Sequence, residues 1–314
     1  MSHLVWRLHR TQVYFAAGAL AALAVLLVVT GTAMSHDYQR FLADCAATQS
    51  CGDGQGQLYS GDGAIFDIVN LTMVVPLLFG LFWGAPLVAK EIEDGTHNLV
   101  WTQGVTRVHW MRTNVTWVLL AAAAWGSAMA GLVSWWRTPE NALGSRFDAF
   151  DVQGVVPVAY SLFAVALGIA VGSMFSRVLP AIATTLGAFV AVRVAVGVYL
   201  RPHLLAPLTT LGSLAGSRAP SGSWVISSGL VGPGGQMLGH SLFAGQIPAA
   251  CQTGGIGQKG LLLPCLVAHG YHQVVTYQPA SRFWAFQGME AAIFLVLAAA
   301  LTAVAFRRVL TRDA

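Results

Sequence analysis

KEIEDGTHNLVWTQGVTRVHWMR, residues 90–112, is a polar, charged segment between two long apolar runs, 64–89 and 113–136, in a chain of 314 residues that is 55% hydrophobic and only 10% charged. A run of about 20 apolar residues crosses the ~30 Å hydrocarbon core of a bilayer at about 1.5 Å per residue. The segment therefore reads as a turn exposed between two spans. Working outward, four more runs are long enough to cross, at 13–34, 153–176, 178–200 and 283–306. Lipid offers the backbone no hydrogen-bond partners, so each run must be a helix. The sequence predicts an all-α integral membrane protein with six transmembrane helices.

Orientation follows from Lys and Arg. With the N-terminus inside, one side holds Arg7, Arg10, Lys90, Arg107, Arg112, Arg177, Arg307, Arg308 and Arg312 in short segments. The other holds Arg40, Arg137, Arg146, Arg201, Arg218, Lys259 and Arg282, spread over much longer ones. The density places both termini in the cytoplasm and makes 35–63 and 201–282 the extracellular loop and cap. All four cysteines fall in those two segments, where an oxidising exterior permits disulfides. Four cysteines allow three pairings, and the short loops favour Cys45–Cys51 and Cys251–Cys265, with buried free thiols as the alternative. The net charge of +4 is what basic flanks of spans produce and does not point to nucleic acid.

The first apolar run exceeds the roughly 7–15 residues of a secretory signal and is read as a retained helix. Residues 1–12 before it set Leu4, Val5 and Leu8 against Arg7, His9 and Arg10, the pattern of an amphipathic piece at the inner interface. Trp135, Trp136 and Trp284 lie at span ends and suit interfacial anchors. Gly80 with Gly84 and Gly168 with Gly172 bring small residues to one helix face, allowing close backbone approach in lipid. Pro76 and Pro86 are expected to kink the second span.

Two charges fall inside spans, where charge is costly: Arg193 and Glu290. Both lie about seven positions from the outer end, roughly 10 Å deep. Equal depth on consecutive helices allows either an ion pair or two solvated positions in a translocation cavity. His269-Gly-Tyr-His272 has no second ligand pair at metal-binding spacing, so these and His240 read as loop histidines and no metal is expected. Protease, esterase-elbow and haem-attachment motifs are missing. So is a phosphate-binding GxxxxGK[ST] loop, which means that the chain is not by itself an enzyme and binds no nucleotide cofactor of its own. Energy for transport must come from a partner or an ion gradient.

The central segment supplies the partner. Glu91, Glu93 and Asp94 end the second span with negative charge, Leu99, Val100 and Trp101 follow as an apolar knob, and Thr106 suits the N-cap of the third span. Glu91-x-Glu93-x-Gly95-Thr96-x-x-Leu99, then Arg107, resembles the membrane (permease) subunit of type-2 ABC exporters, in which this element forms the coupling helix. The six spans, the short turn at Ser176-Arg177 and the large segment before the last span fit the same family. Residues 277–284, YQPASRFW, look like a segment of its actinobacterial members.

The resemblance implies a single ABC exporter transmembrane domain over 1–314, multi-pass in the bacterial plasma membrane. It implies a second permease chain, as a homodimer or heterodimer, and two separately encoded ABC ATPase subunits carrying ATP and Mg. Docking residues would be Glu91, Glu93, Asp94, Gly95, Thr96, Leu99, Trp101 and Arg107. Spans two and five would line a path for a hydrophobic or amphipathic compound, with Asp67, Asn70, Arg193 and Glu290 as its polar members. The alternatives are an ion-coupled secondary transporter, for which no inverted repeat is evident, and a membrane enzyme or assembly subunit without transport activity.

Overall fold

The computed structural model describes residues 2–48, 54–94, 107–212, 219–235, 237–238, 251 and 259–311. Six helices are long and apolar enough to cross a membrane: Val13–Thr48, Gly63–Glu93, Val108–Trp136, Val156–Met174, Val178–His203 and Ala280–Thr311. They are called spans one to six below. The single domain expected over 1–314 divides into two compact units. One is helical (Met1–Leu143, Ala149–Arg201 and Trp284–Ala314), and the other comprises Gly144–Asp148 and Pro202–Phe283.

Span one belongs to a helix running unbroken from Ser2 to Thr48. At 1.5 Å per residue its 47 residues extend about 70 Å, more than twice a bilayer core. Residues 2–12 are thus continuous with the span instead of a separate interfacial piece, and 35–48 are helix where a loop is expected. No proline interrupts this stretch to stop the helix. Gly31 faces span three so closely that a Cβ there would stand 2.8 Å from Trp136 Cδ1. Trp136 is buried, and its indole N–H donates to Thr30 Oγ1 at 2.9 Å. It is a packing residue, not the interfacial anchor its position suggests, whereas Trp135 and Trp284 are exposed.

The prolines of span two change its winding. Pro76 cannot donate to the carbonyl of Thr72, and Pro86 cannot donate to that of Phe82. A 3₁₀ turn occupies Thr72–Val74 and a π-helical turn Gly80–Gly84, each containing one of those released carbonyls. The small-residue faces meet one another. A Cβ on Gly84 would lie 2.7 Å from Val165 O, and one on Gly168 would lie 2.7 Å from Ala85 N and 2.9 Å from Gly84 C. Only glycine permits this contact between spans two and four.

Span four is the core of the helical unit: 16 of its 19 residues are buried. It is apolar all round, as a helix surrounded by others must be. Span five is its opposite, since its α-helical part, Val178–Val194, buries only Ala181, Thr185 and Phe189.

The second unit carries a sheet that the apolar pieces of 201–282 do not announce. Strands β1 (Leu208–Gly212), β2 (Trp224–Val231), β3 (Met237–Leu238) and β4 (His272–Gln278) form an antiparallel sheet of order β1-β4-β2-β3. LTTLG and WVISSGLV are too short to span but rich in β-branched residues, which favour strands. Ile226 is the extra residue of a bulge between Val225 and Ser227. LLLPCLVA lies within a short helix, Lys259–Ala268. Its Cys265 forms a disulfide with Cys251. Cys45 is also disulfide-bonded, and Cys51 lies outside the described residues.

Candidate functional site

Two polar centres within the helical unit, and the charged end of span two, concern the residues singled out in the sequence.

The first centre is a charge-balanced cluster that joins spans four, five and six. Arg201 Nε donates to Glu290 Oε2 at 2.7 Å and its Nη2 to Glu290 Oε1 at 2.9 Å, a bidentate pair. The same Nη2 reaches Asp151 Oδ1 at 2.5 Å. Arg193 lies 3.2 Å from Asp151 Oδ1 and 3.5 Å from Glu290 Oε1. The Tyr160 hydroxyl is 2.5 Å from Glu290 Oε1 and 3.0 Å from Asp151 Oδ1, and its single proton serves one of them. Both guanidiniums lie over aromatic rings, Arg193 over Tyr160 at 3.5 Å and Arg201 over Phe150 at 4.2 Å. Glu290 is 0% exposed, so two cations facing two carboxylates are what make its burial tolerable. Burial alone would raise the Asp151 carboxyl, but Arg201 and then Arg193 outweigh it and hold the group below its usual range.

The winding of span five makes this possible. Residues eight apart in an α-helix point about 80° apart, and residues seven apart only about 20°. Ala195–Leu200 is π-helical, which inserts the equivalent of one residue between Arg193 and Arg201. Both arginines therefore share a face. Sequence places Arg193 and Glu290 at equal depth, and they do meet; it misses Arg201, Asp151 and Tyr160. Arg201 lies two residues before the end of span five and Asp151 five residues before the start of span four, and that nearness to span ends was the available signal. Gln287, one turn before Glu290, is also fully buried: its Oε1 accepts from Val155 N and Val156 N, 3.0 Å each, capping span four.

The second centre contains Arg137, expected as an outer flank but only 1% exposed. It pairs with Glu140 at 2.7 Å and donates to Asn70 Oδ1 at 3.0 Å. Asn70 thus belongs to a different cluster from Arg193 and Glu290, and Asp67, three residues earlier, is exposed.

At the end of span two, Glu91 is half-buried and Glu93 and Asp94 are exposed. Gly95, Thr96, Leu99 and Trp101 lie outside the described residues, and Arg107 opens the helix of span three. Glu93 Oε2 accepts a hydrogen bond from the backbone N–H of Val178 at 2.7 Å. Val178 is the first residue of span five, and the preceding Arg177 is extended and offers no side-chain cap of its own. A carboxylate from another span satisfies one of the orphan donors at that N-terminus and matches its positive dipole end.

In the second unit, His269 Nδ1 lies 3.7 Å from both Cys251 Sγ and Cys265 Sγ, with the sulfurs engaged in their disulfide. His272 is in β4, and His240 lies outside the described residues.

Six apolar helices long enough to cross a bilayer, the fourth of them buried among its neighbours, define a multi-pass membrane protein. The family model of ABC-2 membrane transporter related proteins matches residues 17–201, more than half the chain, and the protein belongs to that family. Membership of that family makes the chain an ABC-type permease and implies association with ABC ATPase partners. Neither the curated proteins nor the solved structures yield a match.

Proposed function

We propose that this chain is the permease subunit of an ATP-driven exporter that moves a hydrophobic or amphipathic compound outward across the plasma membrane. Two permease chains, identical or related, work with two separately encoded ATPase subunits docked on residues 90–112, which supply the ATP and Mg. The observation that carries the reading is the family match over residues 17–201, because it takes in all but a few terminal residues of spans one to five together with the whole docking segment.

The exposed faces of spans two and five support the cargo class. Leu71, Phe82, Val190, Val194 and Val198 present an apolar wall within the chain. Asp67 and Asn70 are on exposed positions of span two and suit the polar part of a path. Arg193 and Glu290 satisfy each other and their neighbours, so their role in such a path is to hold its helices, not to bind cargo.

The test is co-purification with a co-expressed ABC ATPase encoded beside this chain. The ATPase is expected with the wild type and not with Leu99→Asp/Trp101→Asp, which removes the apolar knob. An ATPase that never binds the wild type overturns the reading.

A further inference from the structure

Glu93 carries an inference that deepens the proposed function and rests on it. We propose that Glu93 is a transmission residue: its carboxylate ties the docking end of span two to the first turn of span five, and so passes displacement of that end into span five.

Three observations support this. The carboxylate is already committed within the chain, since Oε2 accepts from Val178 N at 2.7 Å across 85 residues of sequence. Span five is lightly packed within the chain, burying Ala181, Thr185 and Phe189 along Val178–Val194. Its other half is held by the polar contacts of Arg193 and Arg201, so side-chain pins add to its packing against spans two and four. Finally, span two is rigid just before Glu93. Gly84 and Ala85 are seated on span four, where a Cβ on Gly84 would meet Val165 O at 2.7 Å and Ala85 O bears on Gly172. Val88 and Ala89 are buried beyond them. A push on the last turn therefore reaches span five through Glu93 without slack in the helix that carries it.

Both acids are exposed, but the Glu93 carboxylate already accepts from Val178 N, whereas Asp94 ends the helix with its N–H bonded back to Lys90 O. Of the acids at this end, Glu93 is a positioning residue acting through span five.

The experiment uses the full chain with its co-expressed ATPase in proteoliposomes, carrying Leu179→Cys as a reporter. Leu179 is 79% exposed, and Cys45, Cys251 and Cys265 are held in disulfides. Maleimide labelling is followed with and without ATP and vanadate, in the Glu93, Glu93→Ala and Glu93→Gln backgrounds. The expected result is a nucleotide-dependent labelling rate with Glu93, its loss in Glu93→Ala complexes matched for ATPase content, and its return in Glu93→Gln, whose amide oxygen can still accept from Val178. Loss of ATPase recovery in Glu93→Ala would make Glu93 a docking contact and overturn the proposal. So would a labelling response that survives in Glu93→Ala, or none with Glu93 present. If the ATPase fails to bind the reporter chain with Glu93 intact, the permease reading itself falls, and that failure is visible before any labelling is done.

Discussion

Spans four and five are consecutive helices of similar composition held in different ways. Span four is fixed by shape: small residues let neighbouring backbones touch it along its length, and almost nothing on it is exposed. Span five packs against spans two and four with few residues fully buried, and charge and hydrogen bonds add to that hold: Glu93 at Val178, and the arginine cluster on either side of the π-helical turn. In a bilayer, packing contacts act over the whole helix and resist any shift, whereas a few polar pins can be released one at a time. Under the proposed function, the packed span four is the element expected to stay and the pinned span five the one expected to move.

The largest expected effect strikes the pins. Glu290→Leu leaves Arg193 and Arg201 facing Asp151 alone in a buried site and should destabilise the detergent-solubilised protein by about 3–5 kcal/mol, as removal of one partner from a buried pair does. Adding Arg201→Leu should recover part of that loss. A thermal-unfolding double-mutant cycle gives the coupling, and strictly additive losses would show that the cluster does not hold span five as a unit.

Next comes the packed helix. Gly168→Val forces atoms into the backbone of Gly80, Gly84 and Ala85, none of which can rotate aside. A loss of roughly 1–3 kcal/mol or more is expected. Gly187, in span five, has nothing within 4 Å of where a Cβ would stand, so Gly187→Val should be nearly neutral. Equal sensitivity at the two positions would erase the distinction between the spans in this chain.

The same contrast explains what sequence could show. Span number, the two glycine faces and the equal depth of Arg193 and Glu290 are periodic or positional signals, written in residue type and spacing. The partners Arg201, Asp151 and Tyr160 come together through a π-helical turn and a folded-back connection, which depend on tertiary context and leave no period. Arg137 shows the same limit: a basic residue at a span end is ordinarily a flank, and only the arrival of Glu140 and Asn70 makes its burial possible. The sheet was hidden because its strands lie in a segment dominated by apolar and glycine-rich pieces, where strand and buried helix are alike in composition.

A smaller effect tests the winding of span five. If the π-helical turn matters only by adding one residue to the register, deleting exposed Val198 should restore α-helix and keep Arg193 and Arg201 about 20° apart. The expected cost is within about 1 kcal/mol. Inserting an alanine there instead turns Arg201 away by about 100° and should approach the loss seen on removing Glu290. A deletion as harmful as the insertion would mean that the π-helical turn itself, and not the shared face, is what the cluster requires.

The smallest effect concerns acid. Asp151 is the partly exposed carboxylate of the cluster and is held below its ordinary value of 3.8, with Arg201 and Arg193 outweighing the effect of burial. A depressed folded-state value means that Asp151 contributes stability above 3.8, the value it regains on unfolding, and that this contribution is lost as pH falls from 3.8 through the folded value. Thermal stability measured down that window should therefore decline, and Asp151→Asn should flatten this part of the decline while lowering stability at neutral pH. Span four should not share the effect, because no carboxylate lies along Val156–Met174. If Asp151→Asn leaves the acid limb unchanged, Arg193 and Arg201 are held by Glu290 alone, and the far pin of span five has one anionic anchor instead of two.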